Sequence, residues 1–477
     1  MSQRSRTIWT FVVTSVALFM AQLDNLVVTT ALPVIRTDLH ASLSSLEWTV
    51  NAYTLTFAVL LLTGASLGER FGRRRMLLVG LVIFTAGSAA AALAPSVEWL
   101  VVFRALQGAG AAIVTPLTLT LLSAAVPVER RGMALGIWGA VAGLAIATGP
   151  VVGGAVVQGW SWQTIFWLNV PLGLLLIPLA RLRVVESRGP ASRLDLPGVA
   201  LASAGLFGIV LGVVRANALG WTSTYVLTAL SVGAALVVAF VAWEGRAREP
   251  MLPMRLFRSR GFSATNLASV LMFFGMFGSI FLLAQFLQTV QHYSPLSAGL
   301  RTLPWTGMPI IVSPLAGLLA DRIGGRPVVL TGLLLQATGL AWLAAVSAPD
   351  VAYGTLVPAF VVSGIGMAMF FAPVATMVLG SVDRSEEGIA SGATNALREL
   401  GGVFGVAVLA SVFAAHGGYG SGQAFVDGLR PAVGVGAAGV FLAALALLAV
   451  PRRTPEAAAI TAYPGTVPSA AEAALTS

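Results

Sequence analysis

Two charged residues interrupt apolar stretches in the first part of the chain. Asp24 lies in the first stretch and Arg104 in the fourth. An ionised carboxylate in hydrocarbon is costly, so Asp24 is a functional candidate whose chemistry would be proton binding and release. We expect Arg104 to hold Asp24 deprotonated in one state and to release it in another. A structural ion pair, a water-exposed helix end or simple contact between helices would account for the same residues.

A second intramembrane acid, Glu399, lies late in the chain. Ser391, Asn395 and Glu399 follow one another at four-residue steps, which places them on one face of a helix. This face could carry a second proton or bind a cation. Arg398 lies beside it, and neutralisation of Glu399 by an arginine is an equal alternative.

Composition excludes several kinds of chemistry. The chain has no cysteine, and all 28 of its basic residues are arginine. Disulfides, thiolate metal sites, Schiff-base lysines and a P-loop lysine are therefore ruled out. The three histidines match no metal-site spacing. We expect no catalysis, cofactor or metal, and the net charge of +9 is spread between apolar runs rather than along a nucleic-acid-binding face.

The elements that must position these residues are membrane-spanning helices. Of the 477 residues, 57% are apolar and 10% charged, whereas soluble domains are about 25% charged. Runs long enough to cross a bilayer recur fourteen times, so the predicted fold class is an all-α polytopic membrane protein. The predicted spans are 9–32, 46–67, 76–94, 98–122, 133–157, 163–180, 196–214, 225–243, 262–286, 300–320, 327–346, 351–379, 388–414 and 431–450.

The arginines predict the orientation of these spans. With a cytoplasmic N-terminus, 22 of the 28 arginines fall on the cytoplasmic side, 4 on the outer side and 2 within spans. This is a strong positive-inside bias, and it places both termini in the cytoplasm. The first span, which carries Asp24, is predicted to be an uncleaved helix. The arginine- and alanine-rich usage favours a bacterial cytoplasmic membrane.

An internal repeat predicts two halves. Residues 65–75 and 317–327 share the pattern small-x-Leu-small-acid-Arg-x-Gly, followed by further arginines. Span nine then corresponds to span one, and spans seven and eight are inserted between the halves. The predicted units are a first half at 1–185, the inserted helices at 186–260, a second half at 261–450 and a disordered cytoplasmic tail at 451–477.

Several motifs in this order resemble those of the major facilitator superfamily, specifically its fourteen-helix drug:proton antiporter branch. The resemblance covers about residues 9–450. It departs from the family at Ala65 and Glu69, where glycine and aspartate are usual, and at Ala145, where glycine is usual. The motifs are Leu23-Asp24 with Ala31-Leu32-Pro33, the two repeated loops, Arg104 to Gly110, Gly149 to Gly154 and Phe166 to Gly173.

The resemblance implies roles for these motifs. It implies proton coupling at Asp24, with Arg104 as modulator, and export rather than import for the helix that carries Gly149, Pro150, Gly153 and Gly154. Generic packing of small residues is the alternative reading of that helix. The cytoplasmic loops would gate alternating access, unless they serve topology and folding alone. Their gating residues are Glu69, Arg70, Gly72, Arg73, Asp321, Arg322, Gly324 and Arg326.

An aromatic stripe in span nine is the candidate substrate wall. Phe273, Phe277, Phe281 and Gln285 recur at four-residue steps, and an aromatic wall with few polar groups suits hydrophobic cations. A lipid-facing stripe is the alternative. Asn51, Tyr53 and Asn395 are the remaining predicted substrate contacts.

The predicted function is proton-coupled export of drugs or antibiotics by alternating access. Its partners would be a small hydrophobic or cationic substrate, protons and the lipid bilayer, without an obligate protein partner. A proton-linked exporter of one metabolite is the alternative within transport. A non-transporting membrane sensor is the alternative outside it, although a sensor would not need a buried acid.

Overall fold

Helices occupy all fourteen predicted places in the computed structural model. It describes residues 3–126, 131–188, 195–248, 250, 252–382 and 387–450, so the predicted tail lies outside the described residues. The helices are α1 (Gln3–Asp38), α2 (Leu43–Phe71), α3 (Arg73–Ala92), α4 (Val97–Ala125), α5 (Arg131–Gly159), α6 (Thr164–Trp167), α7 (Asn169–Arg183), α8 (Leu196–Leu219), α9 (Thr224–Glu244), α10 (Arg260–Gln285), α11 (Pro295–Thr306), α12 (Met308–Ile323), α13 (Gly325–Val346), α14 (Tyr353–Leu379), α15 (Glu387–His416) and α16 (Gly422–Leu447).

These helices are long and apolar enough for a membrane. Twelve helical segments of the described chain pass a length and hydropathy test for spanning, and α2, which bends by 49°, makes a thirteenth. The helix α5, with 29 residues, lies at the place of the fifth predicted span. The helix α9 exposes apolar side chains such as Val232, Val238 and Val241, as expected of a lipid-facing helix.

Two spans are each interrupted at one residue, although each remains a single continuous span. Span six consists of α6 and α7, separated at Leu168, and Pro171 lies in the first turn of α7. Proline cannot donate to the carbonyl four residues earlier and collides with it, which explains a break at this point. Span ten consists of α11 and α12, which meet at Gly307 just before Pro309. It begins at Pro295, five residues earlier than the sequence predicted.

The two repeated loops have the same backbone conformation. Gly72 links α2 to α3 with a φ of 103°, and Gly324 links α12 to α13 with a φ of 88°. Both values favour glycine, as the predicted tight turns require. The offset of 252 residues is constant through this region, since α2 begins at Leu43 and α11 at Pro295, and α3 begins at Arg73 and α13 at Gly325.

The packing of helices repeats with the same offset. The helix α1 packs against α5 and α7, as α10 packs against α15 and α16. The helix α3 contacts α4 and α7, as α13 contacts α14 and α16. Contacts between the two sets also come in a matching pair, α5 with α11 and α2 with α15. The helices α1–α7 and α10–α16 therefore form two sets with the same packing pattern.

The inserted helices form a hairpin on one side of this arrangement. The helix α8 packs against α9 and also contacts α2 and α15. Val210, Val213 and Val214 of α8 join Leu55 of α2 and Val403 of α15 in one apolar cluster. The insertion is therefore anchored where the two sets of helices meet.

Glycines allow close helix contacts, and Gly110 is one example. A Cβ placed on Gly110 of α4 would lie 2.5 Å from the backbone nitrogen of Phe84 in α3. We expect Gly110→Ala to lower the free energy of unfolding by about 1–3 kcal/mol because the helices must separate. Thermal unfolding of the purified protein measures this. Gly354→Ala is the matched control, since a Cβ there meets no atom within 4 Å. Equal stability of the two variants would contradict the packing argument.

Candidate functional site

A buried ion pair joins α1 to α4. Asp24 is 4% exposed and Arg104 is fully buried. The Nη1 atom of Arg104 donates to Oδ2 of Asp24 at 2.5 Å. The predicted partnership of these two residues is thus present in the structure, and the carboxylate is paired instead of being open to water.

The other carboxylate oxygen of Asp24 accepts two amide hydrogen bonds. Gln107 Nε2 donates to Oδ1 at 3.0 Å, and Asn169 Nδ2 donates to the same atom at 2.7 Å. Both amides also donate to the hydroxyl of Ser88 at 3.0 Å. Three donors thus converge on a carboxylate, which in its ionised form can only accept hydrogen bonds. We call these residues, Asp24, Ser88, Arg104, Gln107 and Asn169, the Asp24 cluster.

Arg104 is also positioned by α2. Its Nε donates to the Thr49 carbonyl at 3.2 Å, and its guanidinium carbon lies 4.2 Å from the centre of the Tyr53 ring. The Tyr53 hydroxyl donates to the Ala21 carbonyl of α1 at 2.9 Å. The structure thus places the ring of Tyr53, a predicted substrate contact, against the Arg104 guanidinium. The Nη2 atom of Arg104 is buried without a hydrogen-bond partner.

Glycines bring α4 close enough to form this cluster. A Cβ on Gly108 would lie 2.3 Å from the Tyr53 carbonyl oxygen, and one on Gly87 would lie 3.0 Å from the backbone nitrogen of Gln107. Arg104 and Gln107 are three residues apart and therefore share a face of α4. Their common face and the close approach explain why both reach the same carboxylate.

In α15, Glu399 is buried and Arg398 is half-buried, and the two do not form an ion pair. Glu399 is 8% exposed, and its Oε2 lacks a hydrogen-bond partner. The Nε and Nη2 atoms of Arg398 also lack partners, and its guanidinium lies 5.7 Å from the ring centres of Phe273 and Phe370. The alternative that an arginine neutralises Glu399 therefore has no close ion pair behind it among the described residues.

The aromatic stripe of α10 is inside the protein. Phe273 and Phe277 stack with ring centres 5.7 Å apart, and Phe281 is fully buried. All three belong to the large apolar cluster that includes residues of both sets of helices. This burial contradicts the lipid-facing alternative for the stripe.

Gln285 lies in a contact between α1 and the second set of helices. Its Oε1 accepts a hydrogen bond from the hydroxyl of Tyr419, whose ring stacks beneath the Arg36 guanidinium at 3.4 Å. Burial raises the pKa of Tyr419, which keeps its phenol protonated as a donor. Nearby, Gln288 donates to the Thr30 carbonyl of α1 at 2.9 Å. These bonds close the predicted outer side.

The two other predicted substrate residues are amides in different surroundings. Asn51 is fully buried in α2, and neither its Nδ2 nor its Oδ1 has a hydrogen-bond partner. Asn395 lies half-buried in α15, one turn before Glu399. Unsatisfied buried amides cost free energy, which makes Asn51 the stronger candidate for a ligand contact.

The first repeated loop is held by two acids. Arg73 donates to both oxygens of Glu69, at 2.7 and 2.8 Å. Glu186, which the sequence analysis did not single out, accepts from the backbone nitrogens of Arg74 and Arg75 at the start of α3. An acid at a helix N-terminus is favourable, and this one closes the turn at Gly72. Arg70 is exposed, with its guanidinium 5.3 Å from the Phe71 ring.

The second loop lacks the matching ion pair. Residue 325 is glycine where the first loop has Arg73, so no arginine lies four residues after Asp321. Asp321 and Arg322 are exposed, and neither takes part in an ion pair in the described part of the chain. Arg326 instead donates to the Leu448 carbonyl at 2.8 Å, near the end of α16.

The glycine-proline motif of α5 lies between α1 and α11. A Cβ on Gly149 would lie 2.8 Å from Leu26 Cβ, and one on Gly153 would lie 2.8 Å from the Val27 carbonyl oxygen. On another side of α5, a Cβ on Gly154 would lie 2.3 Å from the Pro295 carbonyl oxygen. In turn, a Cβ on Gly299 of α11 would lie 2.2 Å from the Pro150 carbonyl oxygen. The motif therefore allows contact between the two sets of helices.

Sequence reasoning missed Ser88, Gln107, Asn169 and Glu186. Gln107 and Asn169 lie within two of the motifs that carry the family resemblance, and both are amides within apolar spans. A buried amide needs a partner, so these residues could have been paired with Asp24 from the sequence. Ser88 and Glu186 carry no comparable signal.

Comparison with known proteins agrees with this architecture. The family sequence model of the Major Facilitator Superfamily matches residues 14–310 and 265–476 of this chain. The chain belongs to this superfamily. It is therefore a multi-pass membrane transporter, as its helices indicate.

Curated relatives of this transporter are named for resistance or export. The tetracenomycin C resistance and export protein of Streptomyces glaucescens is 35% identical over 87% of this chain and 77% of its own. The multidrug resistance protein Stp of Mycobacterium tuberculosis is 37% identical over 85% and 76%. The cephamycin export protein CmcT of Amycolatopsis lactamdurans is 38% identical over 86% of each chain.

A solved structure shares the fold. The peptide transporter POT, crystallised with sulfate, superposes with a TM-score of 0.68 at 14% identity, over 94% of this chain and 98% of its own. At this identity the likeness concerns the fold alone.

The buried pair can be tested by a double-mutant cycle. Arg104→Gln leaves the Asp24 carboxylate without a cation, and we expect a loss of about 3–5 kcal/mol in the free energy of unfolding. Adding Asp24→Asn should recover part of that loss because the unpaired charge disappears. Thermal unfolding of the three variants and the parent measures the coupling. Strictly additive losses would show that the charges do not stabilise each other.

Proposed function

We propose that this transporter is a proton-coupled antiporter that exports small hydrophobic or cationic drugs by alternating access. The observation that carries the proposal is the Asp24 cluster, where one buried carboxylate is held by Arg104, Gln107 and Asn169. A carboxylate at this depth is costly unless it is paired or protonated. Asp24 is therefore stable in two states, ionised and paired with Arg104 or protonated, and a transport cycle can alternate between them.

Arg104 would compete with a proton for the Asp24 carboxylate. When the carboxylate is ionised, Arg104 and the two amides bind it. When Asp24 is protonated, the negative charge that attracts Arg104 is lost. The guanidinium then keeps its hydrogen bond to the Thr49 carbonyl and its contact with the Tyr53 ring. Because α1 also contacts α10 and α11 of the second set, rearrangement at Asp24 can bias the relative position of the two halves.

Glu399 would be a second titrating or cation-binding group. Moving one charge down 100 mV yields about 2.3 kcal/mol, and one pH unit adds about 1.4 kcal/mol. Export of a monovalent cation against one proton is electroneutral and uses the pH gradient alone, whereas export against two protons uses both terms. An unpaired buried carboxylate on α15 supports such a role.

The loops and α5 would govern the conformational change. Glu69 and Arg73 would form and break their ion pair, and the loop of Asp321, Arg322 and Arg326 would act in the same way on the other half. The close contact of Gly154 with Pro295 would open when the outer side opens. Separation of α5 from α11 would open a path to the outer side, and the substrate would leave through it.

The substrate would bind between the halves, against Phe277 and Phe281, with Asn51 and Asn395 as polar contacts. The names of relatives support small-molecule export, including multidrug resistance for Stp and antibiotic export for others. Export of one specific antibiotic is the second candidate function, since tetracenomycin C and cephamycin each name a single compound.

The transporter would lie in the bacterial cytoplasmic membrane with both termini in the cytoplasm. The arginine bias of the loops supports this orientation. The functional units would be the halves at 1–185 and 261–450, joined through the inserted helices at 186–260.

A substrate panel in an efflux-deficient bacterial host tests the proposal. Expression should raise resistance to several unrelated hydrophobic or cationic compounds. Resistance to a single compound would favour the second candidate. A flat profile without proton flux would contradict export altogether.

Asp24→Asn should abolish drug-driven proton movement in inverted membrane vesicles, because an amide cannot carry the proton. Proton release on addition of substrate, followed with a pH-sensitive dye, measures this. The control is Asp38→Asn on the same helix, where the exposed carboxylate accepts a hydrogen bond from Trp162 Nε1. Near-normal antiport by the Asp24→Asn protein would contradict the assignment.

Glu399→Gln should weaken the export of cationic substrates at least tenfold more than that of neutral ones, which is about 1.4 kcal/mol of selectivity. The reason is loss of a buried negative charge near the binding region. Paired uptake assays in vesicles, with one cationic and one neutral substrate of similar size, provide the internal control. Equal losses for both substrates would rule out the charge argument.

A further inference from the structure

A cavity of about 530 Å³ opens at the ends of four helices, away from the Asp24 cluster. Its wall combines the first half, the inserted helix α8 and the end of α15. The position is at the predicted outer side of the membrane. Its lining includes Leu43, Glu47, Trp48, Val101, Val214 and Arg215.

Glu47 is the unusual member of this lining. The residue is 1% exposed, and its Oε2 atom has no hydrogen-bond partner. It also takes no part in an ion pair within the residues that the structure covers. A buried ionised carboxylate without a partner is costly, so Glu47 needs either a proton or a bound cation at this cavity.

The rest of the cavity suits an organic cation. Trp48 is half-buried and lies 5.5 Å from the Phe207 ring of α8, which fixes an aromatic surface beside the acid. Half of the other lining residues are apolar, namely Leu43, Val97, Val101, Val214 and Ala414. The polar half consists of Ser42, Ser44, Ser45, Arg215 and a second acid, Glu98. Arg215 is exposed at the opening, where water screens its charge. A carboxylate, an aromatic ring and an apolar wall together recognise a cation that carries an apolar body.

We propose that this cavity is a second binding site, which takes amphiphilic organic cations through Glu47 and Trp48. The site concerns binding and is independent of proton coupling at Asp24. It also gives α8 a function, because Val214, Arg215 and the Phe207 ring all come from the inserted hairpin.

Equilibrium binding of radiolabelled tetraphenylphosphonium to the purified full-length protein tests the proposal. In phosphatidylglycerol nanodiscs, Glu47→Gln should remove one bound equivalent or weaken it at least tenfold. The Asp24→Asn, Glu399→Gln double variant should retain that equivalent. This arm separates the cavity from the proposed transport site, so failure of one proposal does not decide the other.

The matched control is Asp427→Asn, which removes an exposed acid at the same predicted side of the membrane. It should bind as the parent does. If the Glu47→Gln protein cannot be purified, Val214→Trp tests the same cavity by filling it and should cause the same loss. Unchanged binding by either cavity variant would overturn the proposal.

The cation could be a soluble compound or the ammonium of a lipid headgroup. Weaker tetraphenylphosphonium binding by the parent in phosphatidylethanolamine nanodiscs than in phosphatidylglycerol nanodiscs would identify the lipid ammonium as an occupant. Equal binding in both would identify soluble cations. In each case the Glu47→Gln protein must lose the equivalent.

Discussion

The bond between Asp24 and Arg104 is the constraint on which the first half of the protein depends. Neither charge would be tolerated alone at this depth, so the two helices that carry them must stay in contact. Asn169 of α7 and Ser88 of α3 complete the hydrogen bonding. One carboxylate therefore fixes the relative position of four helices, and a change in its protonation would be felt by all of them.

The related halves differ in their chemistry although they share their packing. With the constant offset of 252 residues, Asp24 of α1 corresponds to Met276 of α10, which is buried and apolar. The second half instead has a buried acid on α15, Glu399, which forms no ion pair with the half-buried Arg398 beside it. A symmetric arrangement of helices thus carries a paired charge site on one side and an unpaired one on the other.

Three specific contacts between the halves lie at the predicted outer side. Tyr419 with Arg36, Gln288 with Thr30, and Gly154 with Pro295 all lie there. Because Gln285 is engaged by Tyr419, a residue that the sequence suggested for substrate binding acts in this state as part of the closure. Such contacts can be exchanged for others without unfolding either half, as alternating access requires.

Much of the fold and part of the site could be predicted from the sequence. Hydropathy located the spans, and glycine at positions 72 and 324 predicted turns with positive φ, since these signals are local. The depth of Asp24 and Arg104 in apolar runs made their pairing predictable. The breaks at Leu168 and Gly307 were missed because an apolar run with proline can either bend or end.

The sequence by itself determined that this chain is a helical membrane protein with a costly acid and a base in its first half. Composition and residue order are enough for that, because the desolvation cost of an acid or a base within an apolar run can be read from the sequence before its partner is known. The tertiary structure decided which groups meet that acid, that Tyr53 supports Arg104, and that Glu47 faces a cavity unpaired. Those facts depend on how helices distant in the chain approach one another, and no local pattern contains that information.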